Sequence, residues 1–268
     1  MSKEIYVPVD GLAHKVTKVY APVNGVAHSV KKVYKGVNGI ARQVFEAGKS
    51  LSKFAIGDSV FLNIDNKPVE FLVVNIGIPS NSELYDDSCD GVWLLAKDCY
   101  EKRRWHSSSD SNYRTSTIHE YLNSTFIGLF NPTVQSIIRE VKIPYVNGNG
   151  NTDVVSSGAD GLPAKVFLLS CYEVGWTRTS DSRVPYDGAS LTYFEGMTYT
   201  DARRIAYLNG SASSWTLRSP ERLDYSDVRT VTTSGGGSKL GAAQEHVIRP
   251  ALILPRNISV NPETNVIE

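Results

Sequence analysis

Val7-Pro-Val-Asp-Gly-Leu-Ala-His-Lys-Val-Thr-Lys-Val-Tyr20 is followed by Ala21-Pro-Val-Asn-Gly-Val-Ala-His-Ser-Val-Lys-Lys-Val-Tyr34 and then by Lys35-Gly-Val-Asn-Gly-Ile-Ala-Arg-Gln-Val-Phe-Glu-Ala-Gly48, three units on a 14-residue step. Each unit places Asp10-Gly11, Asn24-Gly25 or Asn38-Gly39 between Val-rich segments. A type I′ turn needs positive φ at both central residues, which these pairs tolerate, so each unit reads as a β-hairpin. Leu12, His14, Val16, Lys18 and Tyr20 share one strand face, matched by Val26, His28, Val30, Lys32 and Tyr34 and more loosely by Ile40, Arg42 and Val44. Neither face is wholly apolar. A hairpin alone is marginal in water and repeats gain stability from neighbours, so partner chains are expected for so short an array. Pro8 and Pro22 each remove a ladder donor, which suits edge positions and limits uncontrolled strand addition. The alternative is a small β-meander packed on the rest of the chain.

The repeats resemble the amino-terminal repeats of tail-associated structural proteins in phages and prophages of gut Firmicutes, over residues 5–46. The resemblance implies an assembly or docking module, with a homo-oligomer, a trimer in the first instance, formed through those residues and with other tail proteins as partners.

Outward from the repeats, residues 46–53 are small and polar and break the pattern. The expected division is a repeat module over 1–48, a linker over 49–53 and one substantial domain over 54–268. Lys plus Arg and Asp plus Glu both number 28, and no basic run is interleaved with aromatics, so nucleic acid is not an expected partner. Cys89, Cys99 and Cys171 have no CxxC or His-spaced partner, and their odd number points to reduced thiols. No apolar run approaches the ~20 residues of a membrane span, and Met1-Ser-Lys-Glu4 has no signal-peptide apolar region. Synthesis in a bacterial cytoplasm with no membrane insertion is therefore expected, and the resemblance of the repeats implies final residence in a virion tail.

In the main domain, Val60–Ile64 and Val69–Ile76 flank Asp65-Asn66-Lys67-Pro68 and predict a hairpin, followed by a buried strand over 92–96. Thr117 with Glu120 makes a capping-box pattern ahead of Ile118, Tyr121, Leu122 and Phe126. Asn131-Pro132 predicts a second helix, and Thr200-Asp201 a third carrying Ile205, Ala206 and Leu208 and stopping at Asn209-Gly210. Strands are expected over 166–170, 215–218 and 246–254. Strands, helices, then strands predict an α+β domain with an antiparallel sheet and two to three helices.

Asn112-Tyr-x-x-Ser116, Tyr121-Leu-Asn-Ser-x-Phe126, Val166-Phe-Leu-Leu-Ser170 with Glu173, Trp215-x-Leu-Arg-Ser-Pro220 and Val247-Ile-Arg-Pro-Ala-Leu252 together resemble a domain common in gut Firmicutes and their phages. That group resembles the C-type-lectin-like fold shared with formylglycine-generating enzymes and with the variable proteins of diversity-generating retroelements. The resemblance implies that the Trp-x-x-Arg and Arg-Pro-Ala strands are scaffold and that the segment between them displays a ligand-binding surface, with residues 211–229 a candidate for hypervariability.

That segment, 219–245, reads as a long loop with a flexible stretch at Thr232–Ser238. The candidate ligand-binding residues are Trp215, Arg218, Glu221, Arg222, Asp224, Tyr225, Asp227 and Arg229, because Trp, Tyr and Arg dominate binding hot spots and carboxylates orient a ligand. For Trp215 and Arg218 a packed core and a structural ion pair are the competing reading, and Arg249 reads as structural, in need of a buried pair. The expected partner is a host cell-surface protein or glycan.

No catalytic residue, metal ligand or cofactor is expected. His14 and His28 sit at a repeat position that becomes Arg42, His106, His119 and His246 are isolated, and Glu-Pro-Asn, Gln-Pro-Asp and Trp-Asn-Asp motifs are absent, so calcium-dependent sugar binding is not expected. Residues 215–254 contain no cysteine, which excludes the formylglycine-generating chemistry, and no Gly-x-Ser-x-Gly is present. Asp86, Asp87 and Asp90 read as a solvated turn. Two alternatives stand beside receptor binding: a purely structural tail or capsid decoration, in which subunit contacts cover 219–245, and a glycan hydrolase, which needs convergent carboxylates roughly 5–9.5 Å apart in a cleft.

Overall fold

The computed structural model describes side chains over residues 48–80, 83–150 and 153–267, and the backbone of six strands between Tyr6 and Glu46. Those six form three hairpins: β1 (Tyr6–Val9) with β2 (Leu12–Lys15), β3 (Val19–Val23) with β4 (Val26–Val30), and β5 (Lys32–Val37) with β6 (Ile40–Glu46). The pairs Val9↔Leu12, Val23↔Val26 and Val37↔Ile40 close each hairpin around its Asp-Gly or Asn-Gly dipeptide. The turn geometry expected at those dipeptides lies outside the described residues, as do the hairpins' side-chain contacts.

The body of the chain runs through β7 (Lys49–Ser50), β8 (Ser59–Ile64), β9 (Lys67–Ile76), β10 (Val92–Ala96) and β11 (Glu101–Arg104), then helices α1 (Thr117–Tyr121) and α2 (Pro132–Ile137). It continues with β12 (Val141–Ile143), β13 (Tyr145–Gly148), β14 (Asn151–Ser156), β15 (Leu162–Ala164) and β16 (Val166–Phe167). The last part holds β17 (Ala206–Leu208), β18 (Ser211–Ser213), β19 (Trp215–Pro220), β20 (Asp227–Val231), β21 (Gly237–Gly241), β22 (Glu245–Ile248), β23 (Ala251–Leu254), β24 (Ser259–Val260) and β25 (Val266–Ile267). The architecture is β-rich α+β, with several small sheets around one larger one.

The larger sheet has the order β16-β23-β10-β9-β8-β25 and is antiparallel except that β25 runs parallel to β8. β10 and β23 are buried along their whole length, as expected for central strands covered on both faces. The β8–β9 turn consists of Asp65 and Asn66, both at positive φ (51° and 59°), so the strand resumes at Lys67 and includes Pro68.

Three sequence expectations are corrected. Residues 49–53 are not a linker: β7 pairs with β24, and Leu51, in the following 3-10 turn, is fully buried with its N–H donated to the Ile258 carbonyl. The helix at 117 is capped by Ser116, whose Oγ accepts from the His119 N–H, and it continues through a wider π turn (Leu122–Phe126) and a 3-10 turn (Ile127–Leu129). The third helix is a single 3-10 turn, Ala202–Arg204, capped by Asp201. Asn209-Gly210 then joins β17 to β18 as a hairpin turn with φ 52° and 80°. The Asn131 cap of α2 is as expected, accepting from the Val134 N–H.

Among the described residues no helix is long and apolar enough to cross a membrane. All three cysteines are free and buried.

Candidate functional site

Residues 219–245 are not a long loop. β19, β20 and β21 form a three-stranded antiparallel meander, joined by a turn at 221–226 and a tighter one at 232–236. The glycine-rich stretch is closed by Thr232 N–H to the Gly236 carbonyl and Gly235 N–H to the Thr232 carbonyl. Gly235 has φ +80°, and a Cβ there would collide with the Asp201 carbonyl, so the glycine serves close packing and not flexibility.

All six residues of β19 are buried, which places Trp215 and Arg218 in the interior at 1% exposure each. Trp215 donates its indole N–H to the Arg204 carbonyl, and the Arg249 guanidinium lies 4.9 Å from its ring centroid. Arg249 itself is held by the carbonyls of Ala96 and Lys97, not by the carboxylate its burial suggested, and that burial pushes its pKa down to about 10. Arg218 forms a two-pronged pair with Glu173 (2.6 and 2.7 Å) and donates to the carbonyls of Pro144, Leu168 and Asp187. Glu173 also accepts from the Tyr85 hydroxyl and the Ser170 N–H. Burial alone would lower the Arg218 pKa, but Glu173 overcomes it and the net shift is upward. Trp215 and Arg218 are therefore scaffold, unable to meet a ligand at the surface.

Of the remaining candidates, Glu221 and Arg229 are also buried, at 2% and 3% exposure. Arg229 donates one Nη to Glu221 and the other to Asp181, both at 2.6 Å; burial opposes its charge, but Cys171, Glu221 and Asp181 together raise its pKa. These two lie beneath the surface, with Arg229 reaching the wall of a neighbouring depression.

Arg222, Asp224 and Tyr225 on the 221–226 turn, and Asp227 at the start of β20, do reach solvent. The turn is closed by the Glu221 N–H on the Asp227 carbonyl and by Asp224, which accepts from the N–H groups of Ser226 and Asp227. Lys239 on β21 bridges Asp224 and Asp227, each at 2.8 Å, and with the Ser226 bond holds the Asp224 pKa down at about 2. Arg222 reaches Asp153 on β14, which also pairs with Arg178. Between these anchors Leu223 adopts φ +71°, a left-handed conformation unfavourable for a branched side chain. Leu223 and Tyr225 are 71% exposed, more than any other large hydrophobic among the described residues, with the Tyr225 ring seated over Gly150 at the β13–β14 tip. A strained backbone position that presents apolar surface to water is typical of binding turns.

Beside the turn lies an open depression of about 560 Å³ between loop residues 180–183, Tyr199 and β21. The loop is tied to the turn by the Arg222 N–H on the Arg183 carbonyl, and to Tyr199 by the tyrosine hydroxyl on Asp181. Sequence reasoning missed the loop, Asp153, Tyr199 and Lys239. The one visible signal was the polar run Thr177-Arg-Thr-Ser-Asp-Ser-Arg183, which nothing local connects to residue 222.

Other candidates fall away by position. The His119 ring is packed against Tyr113 and, by burial, its pKa is pushed down to about 4, so it stays neutral near pH 7. Asp86 caps the 3-10 turn Asp87–Cys89, and Asp90 pairs with Arg256. Among the described residues no group of three or more His, Cys, Asp or Glu side chains is placed to hold a metal ion.

Comparison of the chain with protein families decides its membership: the model of the Domain of unknown function (DUF6273) family matches residues 90–256. The chain belongs to this family. The DUF6273 match begins just before β10 and ends just after β23, so it takes in the Glu173–Arg218 pair, Arg249 and the whole candidate face, and leaves the hairpin repeats outside. No curated protein and no solved structure matches the chain.

Proposed function

We propose that this chain is a tail-associated receptor-binding protein of a phage or prophage, in which the hairpin repeats assemble or dock the protein and the DUF6273 body binds a host-surface ligand. The observation that carries the reading is the 221–226 turn, where Leu223 and Tyr225 are held out to solvent by a frame of ion pairs and a left-handed residue. Preorganised exposed side chains bind at low entropic cost, since the rotamer and loop ordering are already in place. A C-type-lectin-like arrangement is part of the same proposal. The buried Trp215, Arg218 and Arg249 support it, because they play the scaffold part that the resemblance assigns to the closing strands. Three tandem hairpins support multivalency, which would raise a weak single-site affinity through effective concentration.

The test is adhesion of the fluorescently labelled full chain to a panel of Firmicute strains. The chain should adhere to a subset of strains, and Leu223→Ser with Tyr225→Ala should reduce that adhesion at least tenfold, in line with the loss of two hot-spot side chains. Adhesion unchanged in the double variant would place the binding surface elsewhere, and no adhesion to any strain would remove the receptor-binding reading.

A further inference from the structure

Resting on the reading of this face as ligand-binding, we propose that the depression beside the 221–226 turn is a subsite for an uncharged saccharide. Charge decides the first step. Three cations border it, Arg183, Arg229 and Lys239, and four carboxylates stand against them, Asp181, Glu221, Asp224 and Asp227, at 2.6 to 3.7 Å. An anionic ligand meets no uncompensated positive charge and a cation meets no free carboxylate. The walls carry no aliphatic side chain, which removes the driving force for an apolar ligand.

What the walls offer is spare hydrogen bonding and one aromatic ring. The hydroxyls of Ser182 and Ser238 have no hydrogen-bond partner among the described residues, and the Arg183 guanidinium lies 3.7 Å from Glu221, beyond hydrogen-bond reach. Lys239 spends two of its three donors on Asp224 and Asp227. Tyr199 is 39% exposed, its inner side rests on Trp176 with centroids 5.8 Å apart, and its hydroxyl is tethered to the Gly237 carbonyl. A sugar ring presents a C–H face and a rim of hydroxyls that both donate and accept, the combination that a fixed aromatic face surrounded by part-used donors and free hydroxyls satisfies. The volume, about 560 Å³, is within the range of small-molecule sites.

The experiment is retention of the full chain on immobilised neutral hexose and N-acetylhexosamine oligosaccharides, with uronate-containing oligosaccharides as the charged comparison. Retention on neutral glycans is expected. Tyr199→Ala should weaken it about tenfold, and Ser182→Ala with Ser238→Ala about three- to tenfold. The serine double variant should keep the wild-type melting temperature, because the two hydroxyls make no bond to another of the described residues. Retention only on uronates, retention on none, or neutral retention unmoved by the serine variant would each overturn the subsite. Adhesion to cells that the retained sugar does not compete would overturn the subsite and leave receptor binding standing. Sugar retention without adhesion to any strain would do the reverse.

Discussion

Arg218 shows how much of this molecule's stability depends on single enclosed charges. Its guanidinium is satisfied by one carboxylate and three carbonyls, and Glu173 in turn holds Tyr85 and Ser170, so removal of either charge leaves several groups unpaired in the interior. Glu173→Gln should cost about 3–5 kcal/mol in urea unfolding, because the guanidinium remains buried without its counter-charge. A loss below about 1 kcal/mol would mean that water reaches the pair. Asp187 provides a second residue-level prediction. It is buried against Ser219, whose hydroxyl donates to Oδ2, and its Oδ1 has no hydrogen-bond partner. Burial pushes its pKa up to about 7 against the opposing pull of Arg218. The unfolded carboxyl titrates near 3.9, so the folded state holds a proton that the unfolded state releases between roughly pH 4 and pH 7. The stability this group contributes is complete below the unfolded pKa and is lost as pH rises through the folded one, by an amount on the order of 4 kcal/mol. Asp187→Asn should therefore gain on the wild type as pH rises from 4 to 8 in parallel melts; a constant difference between the two would show that Asp187 does not titrate there.

At the scale of the element, the 221–226 turn and the 232–236 turn should respond oppositely to substitution. Leu223 sits at φ +71° with its side chain in solvent, so Leu223→Gly relieves a backbone conformation that costs roughly 1–2 kcal/mol for an L-residue while adding unfolded-state entropy of about 0.5–1 kcal/mol. The variant should be as stable as the wild type or up to ~1 kcal/mol more stable in urea, and a clear loss would reveal a packing role that the exposure does not show. Gly235→Ala puts a methyl group against the Asp201 carbonyl at φ +80° and should cost roughly 2–3 kcal/mol. Secondary structure was legible where adjacent residues decide it. The Asp65-Asn66 turn and the Asn131-Pro132 start rest on local backbone preference and a side chain reaching its own helix end. Asn209-Gly210 was misread because Ile205, Ala206 and Leu208 also fit a helical period, and three apolar residues cannot separate period 3.6 from period 2. β20 was missed for a different reason: Val228, Arg229, Thr230 and Val231 are all buried, so the strand shows no polar alternation and one inward residue is an arginine.

For the whole molecule, the boundary between repeats and body matters most to experiment. A chain beginning at Lys49 keeps β7 and the buried Leu51, whereas one beginning at Lys53 loses both, so the second should be less stable by about 2–5 kcal/mol. Native mass should show the full chain as an oligomer and the Lys49 chain as a monomer; equal masses would move assembly out of the repeats. By itself the sequence determined the three hairpin units, the Asp65-Asn66 turn, the Asn131 cap and the apolar strands of the central sheet, because each depends on residues within a few positions of one another. Only the tertiary structure decided which charged and aromatic residues of 215–229 face solvent. Arg218 is drawn inward by Glu173, 45 positions away, and Arg229 by Asp181, 48 positions away, while Arg222 and Tyr225 remain outside. The burial of Arg218 and Arg229 is set by distant carboxylates that neutralise them, and that of Arg249 by the carbonyls of Ala96 and Lys97, 153 and 152 positions away; local sequence carries no record of these partners.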